Sequence, residues 1–220
     1  MTFQRNHLTL YFVMGSANCK EDPRSVLQQA IAGGITMFQF REKGIGALTG
    51  EAKYELAKDL HAICKEHGIP FIVNDDVQLA LELDADGVHI GQEDGDVEAV
   101  RKMIGDKLLG VSTHNVEEAK RAFVEGADYI GVGPMYPTKT KEDIQVVRGP
   151  IVIEEIRNAC VTGPLVAIGG IQQGNIAPIA KAGADGIAVI SAITHAVNNQ
   201  HQAAVLKEEF LTNTRHFSNK

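Results

Sequence analysis

A short pattern recurs along this chain and constrains its fold more than any other feature. A turn that ends in Ala-Asp leads into an apolar run in "DADGVHIG" (84–91), "GADYIGVG" (126–133) and "GADGIAVI" (183–190). The looser "AGGITMFQF" (32–40) belongs to the same set. Each copy has the character of a helix exit followed by a buried strand. The recurrences therefore predict one structural unit that is used repeatedly.

Strand-like and helix-like segments alternate along the whole sequence. Helical spacing marks 50–68, 115–126, where Asn115 and Glu118 form a capping box, and 149–160. Alternation of this kind implies parallel strands joined by right-handed crossovers. We therefore predict a single-domain α/β protein, a (β/α)8 TIM barrel over residues 1–220. The eight predicted strands lie near 8–14, 35–40, 70–74, 87–91, 108–112, 128–133, 164–169 and 186–191.

An open doubly wound sheet is the alternative fold. Such a sheet normally carries a Gly-rich fingerprint after its first strand. Here the first strand leads into "VMGSANCKEDP", which has no GxGxxG. The barrel is therefore favoured.

Composition excludes several classes of function. The net charge of -7 argues against nucleic acid or an anionic membrane as partner, because both need a basic footprint. No apolar run approaches the ~20 residues of a membrane span, and "MTFQRNHLTL" lacks the features of a secretory signal. We expect a cytoplasmic protein. Cys19, Cys64 and Cys160 are widely spaced, which indicates packing residues rather than disulfides or a zinc site.

Charged residues gather where predicted strands 2 to 4 end, which is the active-site face of a barrel. Arg41 and Lys43 follow strand 2, while Asp75 and Asp94 follow strands 3 and 4. Mg²⁺ takes one or two protein carboxylates and substrate phosphate oxygens, and the two cations suit a diphosphate. The alternative is that Asp75 or Asp76 caps a helix at 77–82.

Small residues follow the last strands. Gly169 and Gly170 stand just before an expected helix start, and Ser191 follows strand 8, which together favour a phosphate site. A tight turn that needs positive φ is the alternative for the glycines. The polar loop 138–141 can close over a substrate or simply be exposed. His89 and His114 receive no proton-transfer role.

Motifs at the predicted strand exits occur in a recognisable order: "QFREK", "VNDD", "HIGQED", "GVSTH", "GVGPMYPTKTK", "AIGGI" and "ISAI". In this order, over nearly the whole chain, the sequence resembles the thiamine-phosphate synthase family. The resemblance implies a transferase that joins 4-amino-2-methyl-5-hydroxymethylpyrimidine diphosphate to 4-methyl-5-(2-hydroxyethyl)thiazole phosphate and releases diphosphate. It also implies a dissociative displacement assisted by Mg²⁺, with no side-chain nucleophile.

The resemblance further implies a role for individual residues. Those of the pyrimidine diphosphate site are Gln39, Phe40, Arg41, Glu42, Lys43, Asn74, Ser112 and Lys141. Those of the thiazole phosphate site are Thr138, Lys139, Thr140, Gly170, Ile190 and Ser191, and the Mg²⁺ ligands are Asp75 and Asp94. Arg41, Lys43, Ser112 and Lys141 are the expected catalytic residues.

Two other functions compete with synthase activity. A related thiazole tautomerase is a similar barrel that needs no diphosphate site, and the set of Arg41, Lys43, Asp75 and Asp94 argues against it. A phosphate-ligand sensor would bind without turnover. The sequence leaves open whether the chain forms a homo-oligomer.

Overall fold

Eight parallel strands close into a barrel in the computed structural model, which describes residues 3–138 and 146–218. Neighbouring strands follow one another in chain order, and the last pairs with the first to close the barrel. The predicted (β/α)8 fold is confirmed, and the open sheet is wrong. The strands are β1 (Leu10–Met14), β2 (Met37–Phe40), β3 (Phe71–Asn74), β4 (Gly87–Ile90), β5 (Leu108–Thr113), β6 (Tyr129–Val132), β7 (Leu165–Ile168) and β8 (Gly186–Val189).

Helices lie between the strands and cover the outside of the barrel. None of those in the described part of the chain combines the length and the apolar character of a membrane span. They are α1 (Pro23–Ala32), α2 (Gly50–Glu66), α3 (Val77–Glu82), α4 (Val97–Ile104), α5 (Val116–Val124), α6 (Ile151–Asn158), α7 (Ala177–Lys181), α8 (Ser191–Thr194) and α9 (Asn199–Ser218). Short 3-10 helices span Arg5–Leu8 and Ser16–Asn18. The long α9 packs against α1 and α7, beside the last units of the barrel.

The recurring Ala-Asp pattern has a structural cause. In each copy the carboxylate accepts the N–H of a residue at the start of the preceding strand, at 2.8–2.9 Å. The backbone N–H of the same aspartate donates to the carbonyl of that residue, at 2.8–3.0 Å. The pattern thus ties strands together in pairs at the bottom of the barrel. The pairs are Asp86 with Phe71, Asp128 with Leu109, and Asp185 with Leu165.

The looser copy of the pattern uses Thr36 in place of aspartate. Its hydroxyl accepts the N–H of Leu10 at 2.9 Å, and its backbone N–H donates to the Leu10 carbonyl at 2.9 Å. All four even-numbered strands are therefore joined to their predecessors by the same pair of hydrogen bonds. The repeat concerns the assembly of the barrel, and the functional residues lie at the opposite ends of the strands.

The capping box at the start of α5 forms with one changed partner. Asn115 Oδ1 accepts the N–H of Glu118 at 2.9 Å, as predicted. The Glu118 carboxylate accepts the N–H of His114 at 2.8 Å, one residue earlier than the usual partner. Together the two bonds satisfy orphan donors and fix the chain where β5 passes into its helix.

Candidate active site

A cavity of about 1340 Å³ opens at the carboxyl ends of the strands. It is far larger than another cavity, of about 300 Å³, which lies beside α4 and α5. The large cavity brings together most of the residues that the sequence indicated. The predicted residues that line it are Arg41, Lys43, Asn74, Asp75, Asp94, Ser112, Thr138, Gly170, Ile190 and Ser191. The predicted Lys139, Thr140 and Lys141 lie outside the described residues.

The carboxylates of Asp75 and Asp94 share one ammonium group. Lys43 Nζ lies 2.8 Å from Asp75 Oδ2 and 3.4 Å from Asp94 Oδ1. The second oxygen of Asp94 accepts the N–H of Gly91 at 3.0 Å, which orients this carboxylate. Residues from three consecutive strand ends therefore converge on one point, as the sequence predicted.

Asp76, and not Asp75, caps the helix that follows β3. Asp76 Oδ1 accepts the N–H of Leu79 at 3.0 Å, and its other oxygen binds Lys53 at 2.6 Å. Asp75 instead has a φ of 61°, a left-handed conformation that is uncommon for a residue other than glycine. Strain of this kind clusters at functional sites. The capping role thus falls to Asp76, and the carboxylate of Asp75 points to Lys43.

The electrostatics of this cluster favour a bound cation. Burial raises the pKa of Asp75, against the hydrogen bond from Lys43. Burial also acts upward on the pKa of Asp94, but the charge of Lys43 and the Gly91 N–H outweigh it and lower that pKa. The hydrogen bond to Asp75 raises the pKa of Lys43. Two partly buried carboxylates therefore depend on one positive charge between them.

The donor set of this cluster suits a hard divalent cation. Among the side chains that the structure describes, those of residues 3–138 and 146–214, no group of three or more His, Cys, Asp or Glu could hold a metal by itself. A site in which protein side chains supply three or more ligands is typical of zinc and calcium. Two carboxylates that face an open cavity fit Mg²⁺, because it keeps several waters and takes oxygens from a substrate phosphate.

Arg41 extends from the end of β2 into the cavity wall. Only 9% of its surface is exposed, and among the described residues its guanidinium has neither a hydrogen bond nor an ion pair. A buried cation without a partner is costly unless a ligand supplies the opposite charge. The environment of Arg41 therefore suits an anionic substrate group with oxygens that can accept from its planar fork.

Three predicted residues in β2 or just after it do not line the cavity. Phe40 packs into the outer core, with its ring stacked on that of Phe71. Gln39 is buried and donates to the Tyr11 hydroxyl at 2.8 Å. The carboxylate of Glu42 accepts the N–H of Leu48 at 2.7 Å and also binds Ser16. Glu42 thus holds two loops together, as an orienting residue.

Gly169 and Gly170 have both positive φ and close neighbours. Their φ angles are 101° and 66°, so the tight-turn interpretation is correct for both. A Cβ at Gly170 would lie 2.7 Å from the Tyr136 carbonyl oxygen and 2.8 Å from that of Pro137. The loops after β6 and β7 therefore pack backbone to backbone. Gly170 still lines the cavity, which leaves the phosphate interpretation open to it.

The predicted helix start after Gly170 is wrong. The helix α7 begins at Ala177, and the amides ahead of it are already occupied. Glu209 of α9 accepts the N–H of Gly174 at 3.0 Å and that of Ile176 at 3.4 Å. An anion at this end of the cavity would therefore meet the loop glycine and the first turn of α8, not the end of α7.

The sequence missed the side chains that hold Ser112. His89 Nε2 lies 2.9 Å from Ser112 Oγ, and Gln92 Nε2 donates to the Ser112 carbonyl at 2.6 Å. His89 lies within the apolar β4 and Gln92 follows that strand. A polar residue at such a position is the sequence signal that could have identified both partners. His114 lines the cavity and binds Glu118 through Nδ1 at 2.9 Å.

The matching family model and the curated relatives agree on one family. A family model described as thiamine monophosphate synthase matches residues 10–193. A curated thiamine-phosphate synthase from Bacillus thuringiensis (strain Al Hakam) is 56% identical over 202 residues, which cover 92% of each chain. One from Bacillus velezensis is 55% identical over 205 residues, covering 93% of this chain and 92% of the relative.

One of the matching solved structures agrees with this family. A thiamine phosphate pyrophosphorylase from Pyrococcus furiosus superposes with a TM-score of 0.84 at 34% identity, covering 95% of this chain and 98% of that chain. Family, relatives and structural neighbour agree on thiamine-phosphate synthase activity in thiamine biosynthesis, and they support neither a tautomerase nor a barrel without turnover. The chain therefore belongs to the thiamine-phosphate synthase family of transferases.

Proposed function

We propose that the large cavity binds the pyrimidine diphosphate and the thiazole phosphate side by side and joins them to thiamine phosphate. The observation that carries the proposal is the division of one cavity by chemistry. Arg41, Lys43 and two carboxylates line one side, while Gly170 and Ser191 line the other. Binding two reactants in one cavity removes much of the entropic cost of their encounter.

The diphosphate binds between the cations that follow β2. The guanidinium of Arg41 offers two parallel donors, and the ammonium of Lys43 offers a mobile point charge. Lys141, beyond the described residues, adds a third charge in this proposal. Asn74 lines the same side of the cavity and holds the pyrimidine, while Gln39, Phe40 and Glu42 support the β2 end from behind.

Asp75 and Asp94 are the residues that would hold Mg²⁺. Their carboxylates are on neighbouring strand ends and already share a cation, which supports this assignment. When bound, Mg²⁺ supplies a Lewis acid that offsets negative charge on the diphosphate. Lys43 then exchanges its contacts with the carboxylates for contacts with the diphosphate oxygens.

The thiazole phosphate binds where the loops after β7 and β8 approach. Gly170 permits close approach of a ligand to the backbone, and Ser191 begins the first turn of α8 beside Ile190. Thr138 lines the same part of the cavity. In this proposal Lys139 and Thr140, outside the described residues, add donors from the continuation of that loop.

The reaction follows a dissociative course. The bond between the pyrimidine methylene carbon and the diphosphate oxygen breaks first, and its electron pair leaves with the diphosphate. The thiazole nitrogen then supplies the pair for the new C–N bond. Arg41 and Lys43 stabilise the charge that grows on the leaving group, and this kind of preorganised electrostatic term is often the largest in catalysis. Exclusion of water protects the carbocation from hydrolysis.

A product assay tests the proposal. The pure protein is incubated with both substrates and Mg²⁺, and thiamine phosphate and diphosphate are quantified together. We expect equal amounts of the two products, and none when either substrate or Mg²⁺ is omitted. Asp94→Asn keeps the size of the side chain and should lose most turnover without unfolding. Ligand binding without product would contradict the proposal.

A further inference from the structure

Five polar side chains form a continuous hydrogen-bonded chain beneath the cavity. They come from β2, β1, β6, β4 and β5, so the chain of side chains crosses the barrel interior. Its links are Gln39 Nε2 to Tyr11 OH at 2.8 Å, Tyr11 OH to Tyr129 OH at 2.8 Å, Tyr129 OH to His89 Nδ1 at 3.2 Å, and His89 Nε2 to Ser112 Oγ at 2.9 Å.

Two glycines provide the room for these polar groups. A Cβ at Gly110 would lie 2.2 Å from the ring of Tyr129 and 2.4 Å from His89 Nδ1. A Cβ at Gly131 would lie 3.1 Å from His89. Both glycines are in the middle of strands, where glycine weakens a sheet unless another group needs the space. The interior of β5 and β6 is therefore shaped around His89 and Tyr129.

The chain of hydrogen bonds has a direction. Burial raises the pKa of Tyr11 and that of Tyr129, so both phenols keep their protons. Gln39 donates to Tyr11, so among the described side chains Tyr129 is the acceptor left for the Tyr11 proton, and His89 Nδ1 is the acceptor left for the Tyr129 proton. His89 then carries its hydrogen on Nε2 and donates it to Ser112 Oγ, leaving the Ser112 proton to face the cavity.

The backbone of Ser112 is held as firmly as its hydroxyl. Gln92 Nε2 donates to the Ser112 carbonyl at 2.6 Å, and Gln92 Oε1 accepts from Arg121 at 2.6 Å. Both the position and the rotation of the Ser112 hydroxyl are thus fixed before a substrate arrives. A donor held in this way loses little entropy when it binds a ligand.

We propose that His89 is a positioning residue that makes Ser112 a hydrogen-bond donor to the pyrimidine substrate. The substrate atom opposite Ser112 must then be an acceptor, and a ring nitrogen of the aminopyrimidine has this chemistry. The inference rests on the proposed function, because it assigns Ser112 to the pyrimidine side of the cavity. The five hydrogen-bonded side chains then contribute to substrate binding as well as to filling the barrel interior.

A double-mutant cycle tests the proposal. The values of kcat and KM for both substrates are measured for Ser112→Ala, His89→Leu and the double variant. If His89 acts through Ser112, each single variant lowers kcat/KM for the pyrimidine diphosphate about tenfold, and the double variant loses no more than Ser112→Ala. The KM for the thiazole phosphate stays unchanged. Losses that multiply, or equal effects on both substrates, would overturn the proposal.

Two further variants separate positioning from packing. His89→Gln keeps a donor nitrogen near Ser112, and it should recover most of the activity that His89→Leu loses. Met37→Leu changes another buried residue of the interior cluster, and it should leave the kinetics unchanged. Activity of His89→Gln as low as that of His89→Leu would contradict the positioning role.

If His89→Leu does not fold, a second variant tests the same role of His89. Tyr129→Phe keeps the ring and removes only the hydroxyl that fixes the His89 tautomer, so it replaces His89→Leu in the cycle with Ser112→Ala. The product assay of the unmodified protein distinguishes failure of the proposed function from failure of the role proposed for His89. If it forms no thiamine phosphate, the proposed function is overturned together with this inference. If it is active and the losses multiply, only the role of His89 is overturned.

Discussion

Lys43 places its ammonium 2.8 Å from Asp75, in the space that the two carboxylates would offer to a metal ion. A divalent cation that binds Asp75 and Asp94 must therefore compete with Lys43. The same lysine is expected to bind the diphosphate once the substrate is present. One residue is thus a competitor of the metal in the free protein and a partner of the substrate in the complex.

This competition predicts that Lys43→Met strengthens binding of Mn²⁺ to the free protein while it lowers turnover. Removing the ammonium leaves two carboxylates without a counter-charge, so the divalent cation gains affinity by about threefold or more. Titration calorimetry with Mn²⁺ alone gives the affinity, and a product assay gives the turnover.

Lys53→Met is the matched control for this measurement. Lys53 binds Asp76, the neighbour of Asp75, at 2.6 Å, and Asp76 caps α3. Its removal should leave Mn²⁺ affinity unchanged. Weaker Mn²⁺ binding by Lys43→Met than by Lys53→Met would show that the ammonium does not occupy the cation site.

Arg41→Met should harm catalysis and spare the fold. Among the described residues the Arg41 guanidinium has no ion pair to lose, so the Tm should not fall. The value of kcat/KM for the pyrimidine diphosphate should drop about a hundredfold, because a charge aimed at the leaving group is lost. Steady-state kinetics and calorimetric unfolding measure the two effects.

Arg101→Met is the comparison variant, for which we expect lower stability and unchanged activity. Arg101 binds the Asp128 carboxylate and the Gly126 carbonyl at the other end of the barrel. Its loss should lower the free energy of unfolding by about 1–3 kcal/mol and leave the kinetics intact. An Arg41 variant that loses stability but keeps its activity would reverse the two roles.

Much of the fold could be predicted because its signals are local. The Ala-Asp pattern marks the even-numbered strands, and each of its polar side chains bonds to the strand that comes before it in the chain. The predicted strands differ from the observed ones by about one or two residues at the ends, as in 8–14 against Leu10–Met14.

The parts that the sequence missed depend on contacts between distant residues. The start of α7 was misplaced because Glu209, 35 residues beyond Gly174, binds the loop amides from another helix. The interior polar chain needs five strands to be placed around one axis before Tyr11 meets Tyr129. The available signal was a polar residue inside otherwise apolar strands, such as Gln39 in "MFQF" and His89 in "GVHI".

Glu209→Ala should weaken binding of the thiazole phosphate alone. The Glu209 carboxylate fixes the loop that carries Gly170 by accepting the N–H groups of Gly174 and Ile176. Without it the loop is less ordered, so KM for the thiazole phosphate should rise about threefold or more and KM for the pyrimidine diphosphate should not change.

Glu208→Ala is the control, because Glu208 is adjacent on α9 and binds only Thr212 of the same helix, at 3.2 Å, among the described residues. Its kinetics should match those of the unmodified protein. Equal effects of the two variants, or a rise in both KM values for Glu209→Ala, would mean that Glu209 does not act through the loop.

Asp76 should make stability depend on pH. Burial acts upward on the pKa of Asp76, but hydrogen bonds from Lys53 and from the Leu79 N–H outweigh it and hold the pKa below the ordinary 3.8. A lowered pKa in the folded state means that the ionised carboxylate stabilises the fold above that ordinary value. The stabilisation is lost as the pH falls through the folded-state pKa.

The corresponding variant is Asp76→Ala. At pH 7 it should lower the free energy of unfolding by about 1 kcal/mol, the usual cost of a lost N-cap. The difference from the unmodified protein should shrink as the pH falls below 3.8. Urea unfolding at a series of pH values measures it. A difference that grows toward low pH would have the wrong sign for this account.

A crystal structure with Mg²⁺, diphosphate and thiamine phosphate bound would show both halves of the cavity at once. We expect Asp75 and Asp94 to hold Mg²⁺, and Arg41 and the displaced Lys43 to contact the diphosphate. We also expect the phosphate of thiamine phosphate to lie beside Gly170 and Ser191. Lys43 still on the two carboxylates, with the diphosphate bound elsewhere, would contradict the proposal.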